Sequence, residues 1–280
     1  MGWHAQLVMG PAGAGKSTYC EAVQKHCVAN KRTVHVVNLD PAADAFNYEC
    51  TADIKDLVTL EEVMEEEGLG PNGGLMFAME YLCSNDGFEW LEEQLSGLEE
   101  SYLLLDCPGQ IELYTNGNVM RRLVDKLQGW GVQIAGVYLL DSQFTQDVPK
   151  FIAGALSAQS CMLQLEIPHV NVLTKLDLMD DGQKEELDHF LSMDMDSFTG
   201  GLHADPGLCE NKYEGLNNAM GQLISEFSLV AFIPLNSTDI ESLEFLMHSV
   251  DNCIQYGEDL EPKELREDGD ELEEGYTDDV

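Results

Sequence analysis

The stretch Ala5-Gln6-Leu7-Val8-Met9-Gly10-Pro11-Ala12-Gly13-Ala14-Gly15-Lys16-Ser17 decides the fold. Its first five residues form a short, mostly apolar run of the kind a buried strand makes. The next eight fit the pattern G-x-x-x-x-G-K-[ST], a turn whose backbone N–H groups converge on phosphate oxygens. Its glycines permit that convergence, Lys16 reaches the outer phosphates as a point charge, and the Ser17 hydroxyl suits Mg²⁺. A helical pattern over Ser17–Val28 follows, so the loop opens a helix whose positive end favours an anion. The candidate phosphate contacts are Gly13, Ala14, Gly15, Lys16, Ser17 and Thr18, with Lys16 also a candidate for catalysis.

Outward from this loop, short Val-, Ile- and Leu-rich runs alternate with helical stretches. The strand candidates are Ala5–Met9, Val34–Leu39, Tyr102–Asp106, Ile134–Leu140, His169–Leu173 and Val230–Leu235. The helical candidates include Val119–Leu127, Val148–Leu165, Gln183–Leu191, Tyr213–Phe227 and Ile240–Gln255. That alternation predicts an α/β fold of the P-loop NTPase type, a doubly wound and mainly parallel sheet. One connection breaks the rhythm. Between Leu39 and Tyr102 the chain runs well beyond the dozen or so residues a crossover needs. Residues 59–98 read as a helical insertion. It holds a short acidic helix over Thr59–Glu67, a turn over Gly68–Gly74, and helical pattern over Leu75–Leu82 and Phe88–Leu95.

Composition narrows the partners. The 280 residues carry 52 acids against 14 bases, a formal charge of -38. Binding nucleic acid by counterion release needs clustered Lys and Arg, so direct nucleic-acid binding is not expected. An anionic membrane surface is excluded on the same ground, and no apolar run approaches the ~20 residues that span a bilayer. A 44% share of hydrophobic residues supports a sizeable core rather than a disordered chain. The eight cysteines are scattered without a C-x-x-C pair, which reads as reduced and mostly buried thiols. Residues 257–280 hold twelve acids and two bases and read as a disordered acidic tail behind a domain spanning 1–256. The remaining acidity belongs to that domain and suits basic partner surfaces.

Three further motifs stand at predicted strand ends. Asp106-Cys107-Pro108-Gly109-Gln110 follows Tyr102–Leu105 and supplies a second metal-side group in Asp106. The Gly109 N–H would sense the terminal phosphate, and Gln110 stands where a glutamine can orient water. Asn38-Leu39-Asp40-Pro41-Ala42 ends the second strand, and Asp40 would orient or deprotonate that water. An aspartate opening a turn before proline is the plainer reading. Thr174-Lys175-Leu176-Asp177 follows the fifth strand. A carboxylate there accepts the two adjacent donors of guanine, which adenine lacks, and the Lys175 stem would pack on the base. Thr174 departs from the commoner N-K-x-D. Pro234-Leu235-Asn236-Ser237 is positioned for a backbone contact to guanine O6. Only Arg32, Arg121, Arg122 and Arg266 are present, which speaks against an arginine finger.

Together these motifs resemble the GPN-loop GTPases over nearly the whole chain before the tail. The family motif stands here as Gly70-Pro71-Asn72, a segment that by itself reads as plain loop. Gln6–Gly13 and Gln255–Leu260 are similar to one eukaryotic subgroup, which shares Thr174. The resemblance implies a dimeric, MinD-like (SIMIBI-type) switch, although Pro11 stands where that class often carries a signature lysine. It implies that Asn72 of one subunit serves its partner's site, and that the cofactors are GTP/GDP and Mg²⁺. Slow, dimer-activated hydrolysis is implied, with a sister paralogue or a second copy as partner. So is a role in assembly and nuclear import of RNA polymerase II, with a cytoplasmic location and shuttling to the nucleus. The alternative is a nucleotide-bound adaptor with negligible turnover.

Overall fold

In the computed structural model, the residues described are 3–43, 45–98, 102–146, 148–180 and 231–257, plus isolated positions between 182 and 222. Seven strands form one sheet: β1 (His4–Met9), β2 (Val34–Asn38), β3 (Cys50–Asp53), β4 (Tyr102–Asp106), β5 (Gln133–Asp141), β6 (His169–Thr174) and β7 (Phe232–Pro234). Their order is β3-β2-β4-β1-β5-β6-β7, and every pairing is parallel. The chain reverses its direction of winding around β1. In such sheets ligands bind at the carboxyl ends of the strands flanking this switch point.

Among the described residues the α-helices with full bounds are α1 (Lys16–Ala29), α2 (Leu60–Glu67), α3 (Pro71–Leu82), α4 (Asn85–Leu95), α5 (Glu112–Thr115), α6 (Val119–Gly129), α7 (Val148–Leu165) and α8 (Ile240–Cys253). Successive residues of β1 feed opposite cores, as the pleat requires. Val8 joins Tyr19, Val23, Leu104, Leu246 and Val250 beneath α1 and α8. Leu7 joins Leu82, Leu105, Leu123, Tyr138 and Phe151 beneath the insertion, α6 and α7. The doubly wound α/β expectation is met.

Two local expectations need correction. The sequence reading has six strands, and β3 is a seventh. It is four residues long, buries Ala52 alone, and pairs with β2 across a register shift at Val36/Val37. So short an edge strand has no repeating apolar signal. The turn over Gly68–Gly74 is also shorter than expected. Gly68 ends α2 in the left-handed region at φ 65°, Gly70 caps the next helix, and Pro71 occupies its first turn. Proline is preorganised for that position. Gly74 lies against α2, where an added Cβ would stand 2.8 Å from Leu60 Cδ1. Close packing of α2 on α3 therefore outweighs the poor helix propensity of two glycines.

The insertion helices carry the caps that start them. Thr59 Oγ1 accepts the Glu62 N–H at 3.3 Å, a side-chain N-cap, and donates to Glu62 Oε2 at 2.7 Å. Ser84 caps α4 through the Gly87 N–H. The helices expected over Gln183–Leu191 and Tyr213–Phe227 lie mostly outside the described residues, and the acidic tail from Glu258 onward lies wholly outside. Among the described residues no helix is long and apolar enough to cross a membrane. The seven described cysteines are unpaired and five of them are buried.

A polar chain crosses the base of the sheet, at the amino ends of the strands. The Tyr19 hydroxyl donates to Gln6 Oε1 at 2.6 Å, and Gln6 Nε2 donates to the Tyr102 hydroxyl at 2.7 Å. The Tyr102 hydroxyl donates to Asp251 Oδ1 at 3.0 Å. Arg32 closes the chain with two bonds to Asp251, at 2.7 and 2.9 Å. Its guanidinium packs on the rings of both Tyr102 and Tyr256, 3.9 and 3.7 Å from their centroids. α1, the sheet and α8 are thereby fastened together.

Candidate functional site

The carboxyl ends of the strands gather the predicted motifs into one row. Asn38 and Val8 both stand beside Asp106, Met9 beside Tyr138, and Asp141 beside Thr174. The phosphate loop leaves β1 through Gly10, at φ 137°. A Cβ at Gly10 would meet the Leu139 carbonyl oxygen at 2.2 Å, so the neighbouring strand forbids any side chain. Gly13 and Gly15 turn the loop into α1, and Gly15 is its cap residue. Ala14 and Lys16 are buried, Ser17 is half-buried, and Thr18 is exposed.

The Lys16 ammonium donates to the carbonyls of Gly10 and Pro11, at 3.2 and 3.3 Å. Burial lowers its pKa, against the opposing charges of Asp106 and Asp40. A positive group is thus buried with two carbonyl partners, at a desolvation cost that an anion would offset. Asp106 is 2% exposed. Burial pushes its carboxyl above the ordinary value, opposed by hydrogen bonds from Ser17 and Tyr48 and by the Lys16 charge. The Tyr48 hydroxyl donates to Asp106 Oδ2 at 2.9 Å. Burial, reinforced by the Asp106 charge, pushes the Tyr48 phenol well above its ordinary range, so it acts as a donor.

The residues present fit Mg²⁺. Ser17 and Asp106 offer hard oxygen atoms that already meet each other. Among the described residues no group of three or more His, Cys, Asp or Glu could hold a metal alone. A Mg²⁺ ion usually keeps several waters and needs only one or two protein oxygens.

Gly109 brings the turn after β4 against the phosphate loop. A Cβ there would lie 2.8 Å from Ala12 Cα. Asp40, half-buried, opens a turn by accepting the Ala42 N–H at 3.0 Å. The turn-forming reading therefore applies to it, and its charge also acts on Lys16. Asn38, fully buried, sets this end by donating to Asp53 Oδ1 and to the Asp40 carbonyl. The insertion joins the site from α3. Gln110 Nε2 donates to Asn72 Oδ1 at 2.9 Å, within one chain.

At the other end of the row Lys175 takes the left-handed conformation at φ 62°, and Asp177 stands exposed in the single 3-10 turn that follows. The Lys175 ammonium meets Asp141 Oδ2 at 2.6 Å. Thr174 is 5% exposed, and its hydroxyl donates to the Ala14 carbonyl at 2.8 Å. This side chain therefore ties the strand end to the phosphate loop and holds the Asp177 turn in register with it. Ser142 adds a bond to the Lys175 carbonyl at 3.1 Å. In the turn after β7, the Asn236 N–H is taken by Ser242 Oγ, and Asn236 Oδ1 accepts from Thr238. The three described arginines are engaged elsewhere: Arg32 with Asp251, Arg121 with the Leu165 carbonyl, and Arg122 with the Cys83 carbonyl.

Tyr48 and Asp141 touch the candidate site residues Asp106 and Lys175, and sequence reasoning assigned neither; Asn38 it placed at the start of the Asp40 motif without a role. The signal for Asp141 was its place after an apolar run; Tyr48 had none.

Residues 8–256 match a family described as "Conserved hypothetical ATP binding protein". The chain is 52% identical to "GPN-loop GTPase 3" of Dictyostelium discoideum over 94% of its length and 91% of the relative. It is 49% identical to "GPN-loop GTPase 3" of Danio rerio, over 94% and 92%. Among solved structures it is similar to the apo form of a GTPase from Pyrococcus abyssi. The TM-score is 0.72 and the identity 25%, covering 89% of this chain and 97% of that one. The family description names adenine nucleotides, whereas the relatives are named for GTP.

Proposed function

The chain belongs to the GPN-loop GTPase family, and on that premise we propose that it binds GTP with Mg²⁺ and hydrolyses it to GDP. The carrying observation is the row at the strand ends, where Lys16, Ser17, Asp106 and Asp40 lie within hydrogen-bond or electrostatic reach of one another beside the phosphate loop. The Asp177 carboxylate favours guanine over adenine, and the relatives' names support the same choice.

In this reading the N–H groups of Gly13–Thr18 cradle the phosphates while Lys16 neutralises the outer two. Ser17 and Asp106 would hold Mg²⁺, which would supply stabilisation of the negative charge that develops on the phosphates. The Gln110 amide accepts a hydrogen bond from the attacking water without taking its proton, since an amide is too weak a base. Asp40 is the group able to receive that proton. The three described arginines are engaged elsewhere, and in this reading a second subunit supplies the extra stabilisation. The family resemblance assigns that task to Asn72 of the partner, in a slow, dimer-activated switch. The partner is a sister paralogue or a second copy of the chain. Resemblance alone supports the cellular role, which is assembly and nuclear import of RNA polymerase II by a cytoplasmic, shuttling protein.

The test is turnover of GTP and ATP by wild type and Asn72→Ala across a range of protein concentrations, with and without a sister paralogue. The expected result is GTP turnover that rises with concentration and falls at least about tenfold in Asn72→Ala. Unchanged turnover in the variant removes the trans role. GTP intact after hours in the assembled complex favours the adaptor reading.

A further inference from the structure

Resting on the Mg²⁺-dependent GTP reading above, we propose that Tyr48 is a positioning residue for the metal. Its hydroxyl fixes the Asp106 carboxylate relative to Ser17 and couples the segment 45–49 to metal occupancy. No sequence motif contains it.

The two groups suited to the metal sit on different elements. Ser17 is in the first turn of α1, and Asp106 ends β4. A Mg²⁺ ion demands near-ideal octahedral geometry, so the spacing of those groups is what the protein must control. The segment carrying Tyr48 is clipped to the same helix as Ser17. Gln24 Nε2 donates to the Glu49 carbonyl at 2.8 Å, and the Glu49 N–H donates back to Gln24 Oε1 at 2.8 Å. Asn47 Nδ2 reaches Glu21 Oε2 at 3.4 Å. Phe46 stacks on the Tyr48 ring, with centroids 4.5 Å apart and planes within 6°.

From this anchored platform the phenol, 5% exposed, points inward to Asp106 Oδ2 at 2.9 Å. Tyr48 thus spans the gap between the helix bearing one metal-side oxygen and the strand bearing the other. A carboxylate has about four lone-pair sites, so bonds from Tyr48 and Ser17 leave room for a metal-bound water. Partners of this kind orient a ligating carboxylate, and their loss typically weakens metal binding about 10- to 100-fold.

The substitution is Tyr48→Phe, which keeps the ring and its stack and removes only the hydroxyl. Binding of a fluorescent GTP analogue is followed in EDTA and during a Mg²⁺ titration. The Mg²⁺ concentration giving half-maximal tightening is expected to rise at least about tenfold in the variant. Affinity in EDTA is expected to stay within about twofold. In parallel, hydrogen exchange of residues 45–49 should slow when Mg²⁺ joins the nucleotide in wild type, and that gain should vanish in Tyr48→Phe. An unchanged Mg²⁺ midpoint overturns the proposal, and so does an equal loss of affinity in EDTA. If wild type itself binds no guanine nucleotide, the nucleotide reading falls first.

Discussion

At the base of the sheet Tyr19, Gln6, Tyr102, Asp251 and Arg32 bond to one another in a row, and of their buried side-chain polar atoms Arg32 Nε alone lacks a partner among the described residues. At the top, Lys16 leans on two backbone carbonyls while burial lowers its pKa, and Asp106 is buried against its ordinary preference for charge. Both ends bury charge. The base does so in closed pairs that hold α8 to the sheet. The top does so with groups whose balance improves when a phosphate and a cation arrive. Buried polarity at one end maintains the fold, and at the other it prepares for a ligand.

The sharpest way to break this contrast is to truncate one cation at each end. Lys16→Ala should cut GTP turnover by about 10²–10³-fold, the effect of removing a preorganised charge-stabilising group. Its melting temperature should hold or rise slightly, because a buried ammonium is removed. Calorimetry alongside single-turnover kinetics checks both halves. Arg32→Ala should do the reverse. Removing one partner of a largely buried pair leaves Asp251 uncompensated and should cost about 3 kcal/mol of stability, read from urea unfolding. Nucleotide affinity of the folded fraction should stay within about twofold. If the two variants give the same profile, the division between the ends is false.

A smaller effect sharpens the base end. His169 opens β6, and neither ring nitrogen has a hydrogen-bond partner among the described residues. Burial pushes its pKa down to about 4. As pH falls below about 6.5 the unfolded chain gains a proton that the folded chain refuses, so stability is lost as pH falls. Between pH 6.5 and 5 this group should account for about 2 kcal/mol. The excess slope of stability against pH should disappear in His169→Phe. An identical slope in both proteins would show that the ring is not sequestered.

What was legible in the sequence follows from how local each signal is. The phosphate loop, Asp106 and Asp177 each sit at the end of an apolar run, and a strand delivers such a residue to the sheet's edge whatever else the chain does. The alternation of runs and helical stretches gave the doubly wound sheet for the same reason. Other features depend on partners far apart in the chain. Tyr48 meets Asp106 across 58 positions, Gln110 meets Asn72 across 38, and Arg32 meets Asp251 across 219. No window of sequence reports such meetings. Thr174 shows the same limit differently: as a motif residue it departed from the usual asparagine. Only its place under the loop shows that a hydroxyl can tie Ala14 to the strand.

Gly10 and Gly109 carry a consequence for how this protein can vary. Each faces a neighbour's backbone, the Leu139 carbonyl in one case and Ala12 in the other, at distances no Cβ tolerates. Every replacement of glycine adds at least that carbon. Neither position therefore has a conservative alternative, and neither obstacle involves the nucleotide. Inherited changes at these two codons would be removed as folding defects before any change in binding could be selected.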